Sequence, residues 1–575
     1  MDDLTAEILR NALTVAAEEA SIVVVRSAYS AFVVEGSDAS AAILDADGRL
    51  VAQSTATSLA HSASLHGSLP ALLEDHPLDA MAPGDVFVMN DAYRGGIHPN
   101  DLLVFQPVFV DGTPRWFTAT LIHVADVGGM VAGGSTGVAT EVFQEGLQLP
   151  PVRVATAAGP ADDVLAILAL NSRTPAKVLG DLQALISGTT VARRRLEALC
   201  EEHGAAGLSA GIDAYLAYTE QRMRRAIEAI DDGVHRGSFT IDNDGVHAGA
   251  SYRIEVALTV DGSDVTIDFA GTDPQVAASI NAGYSQTRSG AIYGLRCFVD
   301  PTIPMNEGAL APLAIVAPEG SLLNPRPPAP CGGRFFAMYA VVDAIAEAMA
   351  DARPDLAMAS SGILTPFTLT AAEGEGVPWI HLAFEFGGVG ARRGKDGPNA
   401  TGFHFGLGRN MVPQVEPIEA RCPLVVEELS LRVDSGGPGR WRGGLGTRTT
   451  YRLVEDALVT TRGDRHEHPP QGREGAGSGT GGGYYRSVEG EGRERLADKA
   501  ANVVVGGGQR FVVETSGGGG LGSPRDRPVA EVAADVRKGW VSPAAAASVY
   551  GVVVASDGAV DQDATAARRA DAVSG

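Results

Sequence analysis

Asn90-Asp91-Ala92-Tyr93-Arg94-Gly95-Gly96-Ile97-His98-Pro99-Asn100-Asp101 leads into an apolar run, Leu102–Val110, then Asp111-Gly112, then a second apolar run, Trp116–Val124, whose end reads Ile122-His123-Val124-Ala125-Asp126-Val127-Gly128-Gly129. Two such runs around an Asp-Gly pair predict an antiparallel hairpin, and the loop length decides which side chains share a face. A two-residue loop at Asp111-Gly112 sets Asp101 opposite Ile122 and turns His123 to the other face. A three-residue loop, Asp111-Gly112-Thr113, sets Asp101 directly opposite His123, with Cβ atoms roughly 4.5–5.5 Å apart. The three-residue register, or a bulge that restores the same face, is expected. His98 must then curl back from the entrance of the first strand.

The open end of this hairpin gathers Asp91, Asp101, Asp126, His98 and His123, and flanking glycines let a ligand approach the backbone closely. Imidazole with carboxylate is a ligand set for zinc, manganese or iron. The same residues also read as hydrogen-bonded core histidines and turn aspartates, and spacing alone does not choose.

Outward from the hairpin, the N-terminal segment is helical. Ile8, Ala12, Val15, Ala16 and Val23 follow three-to-four spacing. Ala41–Leu44 and Leu50–Ala52 flank the turn Asp45-Ala46-Asp47-Gly48, and helices are expected near Ala161–Ala169, Pro175–His203 and Ile212–Ile230. From about Ser238 strands dominate, with one helix at Met338–Met349. Gly472–Gly483 is too rich in glycine for regular structure, and the last fifteen or so residues are expected to fray. The fold class is mixed α/β (α+β), with a helix-rich N-terminal part carrying the hairpin and a β-rich C-terminal part. The expected division is 1–237, 238–470, and 471–575 as a Gly-rich connector with a terminal strand and helix.

A chain of 575 residues exceeds one core. Its 45% hydrophobic and 20% charged residues exclude a disordered or collagen-like protein. The net charge of −25 makes nucleic acid a poor partner. Four cysteines without a CxxC argue against disulfide or zinc-thiolate frameworks. No signal peptide or membrane span is read, so a cytoplasmic protein without a membrane partner is expected. Glycine is in excess, 71 residues against a usual share of about 7%.

Other motifs carry less. No GxxxxGK[ST] occurs, and the GxGxxG matches at Gly477–Gly482 and Gly517–Gly522 lack the strand-to-helix context of a dinucleotide site, so no cofactor-binding loop is assigned. GxSxG at Gly133–Gly137 and Gly207–Gly211 lacks the strand and helix of a nucleophile elbow. His466-Glu467-His468 lacks the HExxH spacing and reads as a surface loop before Pro469-Pro470. Glu416 and Glu419, near His404 and Asn410, read equally as pocket lining or as a solvated edge.

The Asn90–Gly129 stretch resembles the hydantoinase B/oxoprolinase family, which includes the alpha subunits of acetone-type carboxylases. The resemblance continues through Glu145-Gly146-Leu147, Ile303-Pro304-Met305-Asn306-Glu307-Gly308, Pro318–Pro325, Asp434-Ser435-Gly436-Gly437-Pro438-Gly439-Arg440, Thr515–Gly520 and Gly539-Trp540-Val541-Ser542. It implies one divalent metal (manganese, zinc or iron) held by His98, Asp101 and His123, with Asp38 as a further ligand. The Asp38 context, Glu35-Gly36-Ser37-Asp38-Ala39-Ser40, departs from the family's more basic, Phe-containing run. Leu65-His66-Gly67 also departs, where relatives show His-Leu-Gly. The resemblance further implies a hetero-oligomer with a hydantoinase A/oxoprolinase-like subunit that binds ATP. That partner phosphorylates a cyclic amide, and this chain hydrolyses it, as in a hydantoinase, 5-oxoprolinase or lactamase; the alternative is an acetone- or acetophenone-type carboxylase. Asp126 is the candidate catalytic residue, as orienter of a ligand or as general base.

Overall fold

The hairpin lies at the centre of a seven-stranded sheet. In the computed structural model, which describes residues 3–55, 61, 63–134, 136–247, 249–372, 379–402, 414–488, 492–555 and 558–570, its strands are β1 (Ala39–Asp45), β2 (Leu50–Gln53), β3 (Val86–Met89), β4 (Asp101–Val110), β5 (Thr113–His123), β6 (Val152–Thr156) and β7 (Gly159–Pro160). Their spatial order is β2-β1-β5-β4-β3-β6-β7. The accompanying helices are α1 (Asp3–Ser27), α2 (Ala31–Gly36), α3 (Ser64–Asp75), α4 (Asp162–Leu170) and α5 (Pro175–Ile227).

Both faces of the sheet are covered, which is why β4 and β5 read as continuous apolar runs. Leu103, Phe105, Phe117 and Leu121 pack with Leu65, Leu69 and Leu72 of α3 on one face. On the other, Leu102, Val104 and Ile122 meet Val24 of α1 and Val178, Leu182 and Leu185 of α5. The buried stripe of α1 is Leu9, Leu13, Ala16, Ala20 and Val24. It is shifted one residue from the expected stripe, leaving Ile8 and Val15 half exposed, because this helix has apolar residues on more than one face and periodicity does not rank them. Gly204 (φ 70°, ψ 155°) breaks α5 where the sequence ends its first helix.

The chain continues through β8 (Gly233–Ile241), β9 (Tyr252–Asp261), β10 (Asp264–Asp268) and β11 (Leu313–Val316), a sheet ordered β11-β10-β9-β8. The helices α6 (Tyr284–Arg296), α7 (Glu307–Leu310) and α8 (Phe335–Ala352) follow. Two compact units result, one drawn from Met1–Phe239 and Arg253–Ala348, the other from Thr240–Tyr252, Met349–His404 and Asn410–Gly575.

The second unit holds two sheets. One orders Ile380–Phe386, Leu364–Ala371, Ala457–Arg462 and Lys499–Val505; the other orders Leu424–Leu431, Thr447–Leu453, Arg510–Glu514, Gly483–Val488 and Gly492–Leu496. Phe367, Leu369, Tyr451, Tyr484, Phe511 and Val513 share their core. Glycine-rich segments lace this unit through backbone: Gly437 N–H donates to Gly518 at 2.8 Å and Gly518 N–H to Gly444 at 2.9 Å. A Cβ on Gly443, Gly444 or Gly517 would overlap a neighbouring carbonyl, which accounts for part of the glycine excess. Of the last fifteen residues, 562–570 are more ordered than expected, and 571–575 lie outside the described residues. Gln562–Ala570 is a helix, tied by Arg569 to the Arg527 carbonyl at 2.7 Å and by Thr565 to the Val553 N–H at 3.0 Å. Among the described residues no helix is long and apolar enough to cross a membrane.

Candidate metal centre

Asp111 (φ 50°) and Gly112 (φ 77°) form a two-residue turn in which both residues are left-handed, the form that suits the twist of a hairpin. Near the turn, Val110 faces Thr113 and Phe109 faces Pro114. Carried along the strands, that register would part Asp101 from His123. It shifts between Val108 and Phe109, with Arg115 as the extra, exposed residue, and from Val108↔Trp116 onward the pairing runs to Asp101↔His123. The bulge, not a three-residue loop, restores the shared face.

His98 returns toward the strand by a tight turn. The Asp101 N–H donates to the His98 carbonyl at 2.9 Å, with Pro99 presetting the second position. Asn90 locks this turn from below, its amide donating to the Pro99 and Leu147 carbonyls at 2.6 and 2.9 Å. The Val124 N–H bonds the Asn100 carbonyl at 2.8 Å, tying the turn to the end of β5.

Three ligand atoms converge as a result. His98 Nε2, His123 Nδ1 and Asp101 Oδ1 are each 3.1 Å from the other two, and all three residues are buried. Donors bound to one ion at about 2.0–2.2 Å lie roughly 3.0–3.5 Å from one another, so the triangle fits a single divalent cation. The protonation states fit as well. Burial, reinforced by the Arg334 guanidinium, lowers His98 to about 3 and keeps its imidazole neutral. Burial also opposes ionisation of Asp101, but the neighbouring imidazoles and Arg334 outweigh it and hold the carboxyl well below the usual range.

Arg334 reaches Asp101 Oδ2 at 3.2 Å. Its segment is anchored by Glu145, which accepts from Cys331 N–H at 2.9 Å, Gly332 N–H at 2.7 Å and Ser279 Oγ at 2.6 Å. Burial pushes the Glu145 carboxyl up. Sequence reasoning finds neither Arg334 nor the task of Glu145. The available signals are the motif containing Glu145 and the run Cys331-Gly332-Gly333-Arg334.

The other expected site residues lie as follows. Asp38 directly precedes β1, and since Ala39 pairs with Ile122, it arrives at the register position facing His123. Its Oδ1 is 2.7 Å from His61 Nε2, and it is not one of the three converging ligands. Asp126 is fully buried and its carboxylate accepts four hydrogen bonds, from Gly128 N–H, Gly133 N–H, Arg173 N–H and Arg173 Nη1, while Ser172 Oγ donates to its main-chain carbonyl at 2.8 Å. It holds the loop after β5, where a Cβ on Gly129 (φ 86°) would meet the Gln144 and Glu145 carbonyls. His66 pairs with Glu307 at 3.4 Å.

His466-Glu467-His468 is not a surface loop throughout. His466 is buried with Nδ1 2.6 Å from Asp498 Oδ1, and Asp242 accepts the backbone N–H groups of His466, Glu467 and His468. Glu416 and Glu419 are exposed on the helix Val415–Arg421; His404 and Asn410 lie outside the described residues, as does Ser135 of the first GxSxG. The second GxSxG is inside α5.

A covered antiparallel sheet whose central hairpin brings two histidines and an aspartate to one point defines the class of protein, one built around a candidate metal centre. The chain belongs to the hydantoinase B/oxoprolinase family, whose model matches residues 2–524. It is 30% identical to the B component of a putative D-/L-hydantoinase of Pseudomonas sp. (strain NS671), over 98% of this chain and 97% of that one. Identity is also 30% to the beta chain of the caprolactamase of Pseudomonas jessenii, over 99% of each chain. The crystal structure of the ATP-dependent caprolactamase from that organism superposes with a TM-score of 0.90 at 27% identity, covering 99% of this chain and 100% of the matched chain.

Proposed function

We propose that this chain is the metal-binding subunit of an ATP-dependent cyclic amide hydrolase of hydantoinase, 5-oxoprolinase or lactamase type, active with a separate ATP-binding subunit. The observation that carries the reading is the 3.1 Å triangle of His98 Nε2, His123 Nδ1 and Asp101 Oδ1, in a chain similar end to end to hydantoinase and caprolactamase subunits. His98, Asp101 and His123 would hold manganese, zinc or iron, with Asp38 as the further ligand on exchanging its bond to His61. A divalent ion bound there supplies Lewis acidity and lowers the pKa of bound water.

The residues' own tasks follow from their surroundings. His98 stays neutral because burial and Arg334 disfavour its protonation, so its ring keeps one nitrogen lone pair for an ion. Asp101 presents Oδ1 while Arg334 holds Oδ2. Asp126, with both oxygens engaged, orients the loop behind His123 and is assigned a positioning role. An amide is a poor electrophile, and phosphorylation of its oxygen creates a leaving group. The absence of GxxxxGK[ST] from this chain agrees with leaving that phosphorylation to the partner.

The test is reconstitution with a hydantoinase A/oxoprolinase-like ATP-binding subunit. The complex is expected to contain metal and to open a cyclic amide with ATP and without bicarbonate. Strict dependence on bicarbonate would replace the hydrolase reading with the carboxylase one. Full activity of the metal-free complex would reject the metal centre.

A further inference from the structure

The first unit contains a cavity of about 450 Å³ whose lining shares no residue with the histidine–aspartate triangle. It lies at the β2 edge of the large sheet, between α1, the C-terminal half of α5, α6 and the segment Pro301–Met305. Its volume is within the range of small-molecule sites, about 300–1,000 Å³. Its chemistry is lopsided. Among the described residues, Arg10, Arg222 and Arg296 line it and no carboxylate does, in a chain of net charge −25.

The three cations are not equivalent. Arg10 is paired with Glu7 at 3.2 Å, and Arg222 with Asp300 at 2.5 Å and Thr302 Oγ1 at 2.6 Å. Arg296 has no carboxylate partner among the described residues. Its Nη2 donates to the Ile303 and Pro301 carbonyls at 2.8 and 3.4 Å, while Nη1 is buried without a hydrogen-bond acceptor. Burial lowers the Arg296 guanidinium below its ordinary value, with Cys297 and Asp300 offsetting only part of the penalty. A half-buried cation whose burial is only partly offset by a carboxylate nearby gains from an incoming anion.

Gln53 supplies a second unsatisfied group. It is 3% exposed and lines the cavity, its Nε2 donates to Ser40 Oγ at 3.3 Å, and its Oε1 is buried without a donor. Between these polar points the wall is apolar, formed by Ile292, Ile303, Pro304 and Met305. The segment that supplies three of these is the motif Ile303–Gly308, whose later residues have structural tasks: Asn306 Nδ2 donates to Thr219 Oγ1 at 3.1 Å and Glu307 accepts the Leu50 N–H at 3.0 Å.

We infer that this cavity binds a small organic anion, an apolar body carrying one carboxylate or phosphate, with the anion toward Arg296 and an N–H of the ligand toward Gln53. The inference does not rest on the metal reading. The full chain is titrated calorimetrically with hexanoate, 6-aminohexanoate, phenyl phosphate, inorganic phosphate and the neutral hexanamide.

At least one organic anion is expected to bind with a Kd of about 1 mM or tighter, and hexanamide about tenfold or more weaker, since it lacks the charge-assisted bond. The tighter of hexanoate and phenyl phosphate identifies the head group. A gain for 6-aminohexanoate over hexanoate places an N–H at Gln53. Arg296→Met is expected to weaken binding about tenfold, and Ile292→Trp to abolish it by filling the space. Arg10→Met, on the surface side, provides a variant less exposed to misfolding and should weaken binding by a smaller factor. His98→Ala should leave binding unchanged. The inference is overturned if no anion binds, if hexanamide binds as well as hexanoate, if folded Arg296→Met and Ile292→Trp bind normally, or if His98→Ala abolishes binding.

Discussion

Two buried carboxylates, one in each unit, are treated in opposite ways. Asp101 sits at 3.1 Å from two imidazoles and 3.2 Å from a guanidinium, and its carboxyl stays ionised although no part of it is exposed. Glu385 is equally buried but among the described residues faces only hydroxyls: Thr449 Oγ1 at 2.7 Å, Tyr451 OH at 2.9 Å and Thr447 Oγ1 at 3.4 Å. Burial therefore pushes Glu385 up to about 7. The first pocket is built to keep a negative charge with lone pairs beside it, the second to keep a proton. The histidines divide in the same way. His98 and His123 aim at a shared point, whereas His466 is spent on Asp498 and His468 on Asp242. Residue type is common to both regions; convergence is not.

The contrast breaks most visibly if the converging atoms are removed. His98→Ala or His123→Ala is expected to reduce metal in the purified complex to background and to abolish ATP-coupled turnover, a loss beyond the ~10–100-fold typical of outer-shell changes. Elemental analysis with activity on the same samples checks it. Metal content unchanged in both variants would remove the distinction between the two regions.

The second unit offers the next largest effect. A carboxyl at about 7 in the folded chain and 4.5 in the unfolded one binds its proton more tightly when folded. Its stabilising contribution is full below pH 4.5 and is lost as the pH rises through 7, to a total of about 3 kcal/mol. Glu385→Gln keeps a neutral side chain of the same size and should lack this loss. Urea unfolding of wild type and variant at pH 5 and pH 8 reads the difference. Equal slopes would mean that Glu385 is ionised in the core and that the two carboxylates are not opposites.

Much of this site is legible in the sequence because its geometry is local. The turn His98-Pro99-Asn100-Asp101 and the hairpin register are properties of adjacent residues, so pattern and turn chemistry reach them. The bulge at Arg115 is legible only as a requirement, since nothing in Thr113-Pro114-Arg115 distinguishes it from a longer loop. Arg334 is not legible: it meets Asp101 across 233 residues of sequence, and no periodicity encodes that approach. The helices α3 and α6 escape sequence reading for a related reason. Gly67 and Pro70 in α3, and Gly290 and Gly294 in α6, read as helix breakers. In the fold Gly290 and Gly294 are where α6 closes on Val341 and Ile345 of α8, so tertiary packing overrides propensity. The α/β class survives these omissions because each covered strand still carries an apolar run.

Asp126 sharpens the comparison from the first unit's side. With four N–H donors on its two oxygens it has no site left for a substrate proton. Asp126→Ala is expected to weaken metal binding by about 10–100-fold through the loosened loop behind His123, while the pH dependence of the remaining turnover keeps its shape. Loss of one limb of the pH–rate profile with metal affinity intact would instead make Asp126 the general base.

The smallest expected effect belongs to His468, the residue that most resembles a ligand by type and least by setting. Its imidazole is nearly half exposed and its Nδ1 is 3.0 Å from Asp242 Oδ1. Asp242 does not depend on that contact, because it also accepts the backbone N–H groups of His466, Glu467 and His468, at 2.6, 3.0 and 2.8 Å. All three survive replacement of the side chain. His468→Ala should therefore shift unfolding by no more than about 0.5 kcal/mol, the usual range for a surface change, and leave metal content and turnover as they were. Asp242→Ala, which strips the three backbone donors at once, should cost about 1–3 kcal/mol and again leave metal content unchanged. A fall in bound metal in either variant would mean that the second unit holds an ion of its own, and the line drawn between convergent and dispersed histidines would fall with it.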